Sequence, residues 1–106
     1  MIRLMLQRAE LAPALSVFTQ DVVVVGRGGV DGPAPDWVLP FADVSRVQCR
    51  FTTGGEAVFV EALSERNPTF VNNRKISAIT RLQQGDVVRF GACVVRFVGP
   101  RPRARR

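Results

Sequence analysis

Apolar and polar positions alternate with a period of two over most of this chain. Ile2, Leu4 and Leu6 alternate with Arg3, Met5 and Gln7. Val47, Cys49 and Phe51 point one way, between Gln48 and Arg50, and Cys93, Val95 and Phe97 repeat the pattern near the end. That period belongs to strands with one face on a core. Further strands are predicted over 57–63, 87–90 and 92–98. The β-branched run from Val22 to Val25 predicts a strand buried on both faces. Gly, Pro, Asn and Asp collect in the connecting segments. Gly54-Gly55 and Gln84-Gly85-Asp86 predict tight turns. The stretch from Gln7 to Leu15 is the only helical candidate, and Pro13 interrupts it. Short strands with such punctuation predict an all-β antiparallel sandwich. The segment from Gly28 to Pro35 holds three glycines and two prolines. It reads equally as a long surface loop or as a flexible rim beside a binding site.

Composition narrows the picture. The chain has 106 residues, 46% of them hydrophobic and 23% charged, which suits one domain with a core of its own. It contains no apolar run long enough to span a membrane. Arg8 and Glu10 interrupt the short apolar start, so no signal peptide is expected and the expected location is cytoplasmic. The formal charge of +6 is uneven, because Arg101, Arg103, Arg105 and Arg106 close the chain. Without those four, the basic count falls from 15 to 11 against 9 acids. Residues 1–99 are therefore expected to form the sandwich domain, with 100–106 as a flexible Arg/Pro-rich tail. Specific nucleic-acid binding is not expected, since no stacking aromatics accompany the tail arginines.

Chemistry of the catalytic kind has few residues to work with. Histidine is absent, which removes the commonest general base. Cys49 and Cys93 sit in alternating apolar runs without metal-ligand spacing, and both are expected to be small core hydrophobes. No catalytic residue, metal or cofactor is expected.

A spaced set of motifs points elsewhere. Gly26-Arg27 ends an apolar strand, and Asp36 and Leu39 follow. Then come Ser45-Arg46-Val47-Gln48, Asn67-Pro68-Thr69-Phe70-Val71-Asn72, and Gly85-Asp86 followed by Val88, Phe90 and Gly91. From about residue 22 to residue 98 this order resembles the forkhead-associated (FHA) domain, in which Gly-Arg, Ser-Arg-x-His and Asn-Gly-Thr recur. The resemblance implies a β-sandwich of about 10–11 short strands that binds phosphothreonine peptides. It also implies a partner protein that is the substrate of a Ser/Thr kinase. Asp36-Trp37-Val38-Leu39-Pro40 further looks like a segment of FHA domains in bacterial type VI secretion components.

By that resemblance the phosphopeptide-binding residues are Arg27, Ser45, Arg46, Arg66 and Asn67. Arginine supplies the planar fork that a phosphate dianion accepts, where lysine offers a point charge. Arg27 and Arg46 would contact the phosphate. Ser45 would offer it a hydroxyl and a backbone N–H. Asn67 would hydrogen-bond the ligand backbone. Three positions depart from the pattern. Gln48 stands where the family has histidine, and its amide can both donate and accept. Pro68 replaces glycine and forbids positive φ, so the turn there must differ. Arg66 stands where relatives carry a small hydroxyl residue. Trp37, the sole tryptophan, is expected to pack at the sandwich edge. The alternative function is a phospho-independent interaction scaffold on the same fold.

Overall fold

The computed structural model describes residues 1–29 and 31–99. The expected tail at 100–106 lies outside the described residues, as does Val30 within the glycine-rich loop. Eleven strands and no helix make up the described chain. In order they are β1 (Ile2–Arg8), β2 (Leu11–Phe18), β3 (Val22–Gly26), β4 (Trp37–Val38), β5 (Cys49–Gly54) and β6 (Ala57–Ala62). The rest are β7 (Phe70–Val71), β8 (Arg74–Lys75), β9 (Thr80–Leu82), β10 (Val87–Phe90) and β11 (Cys93–Gly99). They form a six-stranded sheet, β2-β1-β11-β10-β7-β8, and a five-stranded sheet, β4-β3-β5-β6-β9. All pairings are antiparallel except β3 with β4. The fold is the expected β-sandwich.

The core lies between the sheets and draws on the period-two faces of both. Ile2, Leu4, Val88, Phe90, Cys93 and Val95 come from one sheet; Val23, Val25, Cys49, Phe51, Val58 and Val60 come from the other, and all are buried. Cys49 and Cys93 are free thiols inside this core, and burial pushes both thiol pKa values up. Neither is therefore a ready nucleophile. Gly55 takes φ 64° between β5 and β6, and Gly85 takes φ 94° between β9 and β10, as the two turn motifs predict.

Two expectations need correction, and the helical candidate that Pro13 interrupts proves to be strand. Gln7–Leu15 is no helix. It runs through β1, a turn and β2, an edge strand whose Leu11, Leu15 and Val17 stay exposed. Pro13 is tolerated there because an edge strand can do without a ladder N–H. The run Val22–Val25 is not buried on both faces: Val23 and Val25 are covered, but Val22 is exposed, since nothing packs over the outer face of its strand end. Val47 does not join Cys49 and Phe51 in the core. It precedes β5 and is exposed.

Trp37 lies in edge strand β4, half-buried, with its ring 5.5 Å from that of Phe18 across the sandwich margin. The Asp36 carboxylate accepts the Val24 N–H at 2.8 Å, and Leu39 donates its N–H to the Gly26 carbonyl at 2.9 Å while burying its side chain. The Asp-Trp-x-Leu segment thereby ties β4 to β3. No helix of the described residues is long and apolar enough to cross a membrane.

Candidate functional site

The site is assembled by three loops that meet at one end of the sandwich: the chain just after β3, the β4–β5 loop and the β6–β7 loop. Gly26 makes the first approach possible. A Cβ at that position would run into the Arg46 carbonyl. Without one, two backbone bonds form, from Arg27 N to Ser45 O at 2.8 Å and from Gly28 N to Arg46 O at 3.1 Å. Arg27 thus lies beside Ser45 and Arg46 although 17 residues of chain separate it from Ser45. Its Nε donates to the Val44 carbonyl at 3.0 Å, which leaves the two terminal nitrogens of the guanidinium to face outward. The Arg46 side chain runs along Gly29, and the residue is exposed.

Gln48 holds the other loops. It is fully buried and makes four side-chain hydrogen bonds. Its Oε1 accepts from Ser45 N at 2.9 Å and from Asn67 Nδ2 at 2.7 Å. Its Nε2 donates to the Asn67 carbonyl at 2.8 Å and to Thr69 Oγ1 at 3.1 Å. The amide is therefore saturated on both ends. No buried side-chain polar atom lacks a partner among the described residues. Of residues 67–69, none takes a positive φ, consistent with proline in place of glycine.

The residues named from sequence come together unequally. Arg27, Ser45, Arg46 and Arg66 line one open cleft of about 610 Å³ with Ser64 and two apolar side chains, Val47 and Leu63. Arg27, Ser45 and Asn67 line an adjoining recess of about 260 Å³. Two assignments change. The Ser45 N–H is already given to Gln48, so only the hydroxyl of Ser45 faces the cleft chemistry. Asn67 spends both Nδ2 protons inward, one on Gln48 and one on the Asp43 carbonyl at 2.8 Å, so its free capacity is an acceptor, Oδ1. Sequence reasoning missed Ser64. Its Oγ lies 2.8 Å from Ser45 Oγ and accepts the Asn67 N–H at 3.1 Å. The available signal was a hydroxyl residue three positions before Asn67, displaced from the place Arg66 occupies.

The electrostatics are one-sided. Three guanidinium groups and two hydroxyls line the main cleft, and no carboxylate does. Asp43 lines the neighbouring recess, but its carboxylate is held by Arg8 at 2.9 Å and by the Ala92 N–H at 2.7 Å. Those contacts, the Ala92 N–H first, hold its pKa below the ordinary carboxylate value. Among the described residues no three His, Cys, Asp or Glu side chains converge as metal ligands. The arrangement can bind an anion through forked donors.

Among the described residues, a helix-free sandwich thus gathers three arginines and two hydroxyls at its loop end. The chain belongs to the FHA domain family, whose model matches residues 23–91. A search of curated proteins finds no match. Among solved structures, the chain is similar to the FHA domain of FhaA, determined in complex with the intracellular domain of Rv3910. The two share 25% identity over 88% of this chain and 97% of the other, with a TM-score of 0.71. It is similarly close to the FHA domain of the CT664 protein from Chlamydia trachomatis, at 25% identity over 91% and 96% of the two chains and a TM-score of 0.71. Yeast Pml1p shares the fold with a TM-score of 0.77 at 20% identity, over 91% of this chain and 79% of that one.

Proposed function

We propose that residues 1–99 form a phosphothreonine-binding module that takes a segment of a partner protein into the cleft between Arg27, Ser45, Arg46, Ser64 and Arg66. The cleft's composition carries this reading: three cationic forks and two hydroxyls with no carboxylate in the lining. A phosphate dianion wants charge-assisted donors on several sides, and a hydroxyl pair completes the set. Arg27 is the main contact, because its Nε bond to Val44 fixes the fork before the ligand arrives. Arg46 and Arg66 close on the phosphate from either side. Asn67 Oδ1 accepts an N–H of the ligand backbone, and Val47 and Leu63 offer an apolar contact beside it.

Family membership supports the same reading, and the FhaA domain meets its partner as a protein-binding unit. The partner of this chain is then a protein phosphorylated by a Ser/Thr kinase, and the module couples that phosphorylation to assembly. The Asp36-to-Pro40 segment supports a place in a bacterial secretion-system complex. Catalysis has no part in this function.

A degenerate library of threonine-centred peptides, phosphorylated and unphosphorylated, tests the reading by calorimetry. Binding is expected only in the phosphorylated set. Arg27→Ala should then cost roughly 2–5 kcal/mol of binding, the usual loss on truncating one partner of a desolvated charge pair. Its effect on fold stability should stay near the worth of one hydrogen bond, about 1 kcal/mol. Equal binding of both peptide sets would overturn the phosphate reading in favour of a phospho-independent scaffold.

A further inference from the structure

The phosphate cleft is not closed on all sides. It shares Leu63 and Ser64 with a second groove of about 410 Å³, which continues past Pro68 and Ile76. That groove in turn shares Lys75, Ile76 and Ser77 with a third, of about 730 Å³, lined also by Arg74, Thr80 and Arg81. Shared lining residues thus link the three hollows in series, from the three arginines at the loop end to a second cationic cluster. The far end lies between β8 and β9, the edge strands of the two sheets. Arg74, Lys75 and Arg81 are exposed there, and none has a salt-bridge partner among the described residues. The one carboxylate lining the far end is Asp86, which is occupied by the Gln83 N–H at 2.8 Å and by Asn72 Nδ2 at 3.0 Å. Glu65 lines the middle groove alone among acids.

We propose that this path reads the sequence beside the phosphothreonine, and that it selects an extended segment carrying an apolar residue and then acidic residues on one side of the phosphate. The proposal rests on the phosphothreonine reading above. Charge complementarity identifies the acidic portion, since three unpaired cations face an open cleft. The apolar portion follows from Leu63, Pro68 and Ile76, which line the middle groove before the cations begin. An extended conformation suits a path that ends between two edge strands, β8 and β9, because a sheet edge can take an added strand. Each exposed ion pair contributes modestly, so three together should raise affinity by roughly tenfold, and salt should erode that gain.

Five peptides test this: a phosphothreonine peptide flanked by alanines, the same peptide with an acidic stretch on either side in turn, and the two acidic versions without phosphate. Wild-type protein is expected to prefer one acidic phosphopeptide by about tenfold at low salt. The charge reversal Arg74→Glu with Arg81→Glu should abolish that preference and leave the alanine-flanked phosphopeptide within about twofold. Both side chains are exposed, and circular dichroism verifies that the variant is folded. Arg27→Ala should weaken every phosphorylated peptide. An acidic stretch that adds nothing on either side, or a gain that survives the charge reversal, overturns the proposal. Binding that ignores phosphate and Arg27 but vanishes on charge reversal would overturn the phosphate reading and keep the groove as an acidic-peptide site. Loss of neither with any variant overturns both.

Discussion

At the scale of single residues, Gln48 is the position on which the candidate site depends most. Its side chain joins the β4–β5 loop, through Ser45 N, to the β6–β7 loop, through Asn67 and Thr69. Replacing it by alanine strands several of these groups in a region closed to water. An unsatisfied buried polar group costs roughly 1–3 kcal/mol. Gln48→Ala is therefore expected to lower unfolding free energy by about 3 kcal/mol, read from urea denaturation, and to weaken phosphopeptide binding more than its distance from the ligand implies. A loss below about 1 kcal/mol would show that the loops are held by other contacts. Gln48→His, the family residue, keeps one donor and one acceptor and should retain part of both properties. The site was largely legible at this scale because its side chains sit in short motifs. What stayed hidden were assignments of individual atoms. Which way the Ser45 N–H points depends on a glutamine side chain folding back by three positions, and Ser64 enters through a hydroxyl pair that only the folded loops bring together.

At the scale of elements, one aspartate links four segments behind the site. Asp43, in the β4–β5 loop, binds Arg8 at the end of β1 and the Ala92 N–H in the β10–β11 turn, while its carbonyl accepts from Asn67 in the β6–β7 loop. Arg8 is fixed in turn by Glu10 and by the face of Phe41, 4.0 Å from the ring centroid. Gly91 allows the turn to come this close. It takes φ 58°, and a Cβ there would run into the Asp43 carbonyl and lie 2.8 Å from its carboxylate. Gly91→Ala should therefore destabilise by both strain and displacement of Asp43, by at least 1 kcal/mol in the same denaturation assay. The depressed pKa of Asp43 adds a signature in acid. A carboxyl whose folded value lies below its unfolded value contributes stability above the unfolded value of about 3.9, and loses it as pH falls through the folded one. Asp43→Asn should flatten the decline in stability below about pH 4 relative to the parent chain, and an unchanged acid limb would assign that decline to other carboxylates.

The strands themselves were unevenly legible. Those with a covered face, such as β1, β5 and β11, show their period plainly. Strand β2 does not, because five consecutive residues from Leu11 to Leu15 are exposed and no burial contrast exists to read. The two-residue strands β4, β7 and β8 are shorter than any period and exist through tertiary pairing.

At the scale of the whole molecule, charge and titration separate cleanly. Without the four tail arginines the chain carries 11 basic and 9 acidic side chains, and its cations gather in two places, Arg27, Arg46 and Arg66 at the loop end and Arg74, Lys75 and Arg81 between β8 and β9. Arginine stays protonated throughout the accessible range. The chain has no histidine. No side chain of this protein with an ordinary pKa titrates between about pH 5 and 8, whereas the second ionisation of a phosphothreonine falls near 6. The pH dependence of binding should then belong to the ligand. Affinity is expected to be flat from about pH 7 to 8 and to fall by several-fold toward pH 5 as the phosphate takes up a proton and loses one of its two charges to the Arg27 cleft. Calorimetry across that range, in buffers of differing ionisation heat, gives the number of protons exchanged. The expected release near pH 6 is less than one proton per complex. The sign is fixed by the dianion binding more tightly than the monoanion. A phosphomimetic glutamate peptide, which does not titrate there, should bind weakly and without this profile. A profile that persists with a non-titrating ligand would place the responsive group on the protein, and would contradict the arginine-and-hydroxyl site described above.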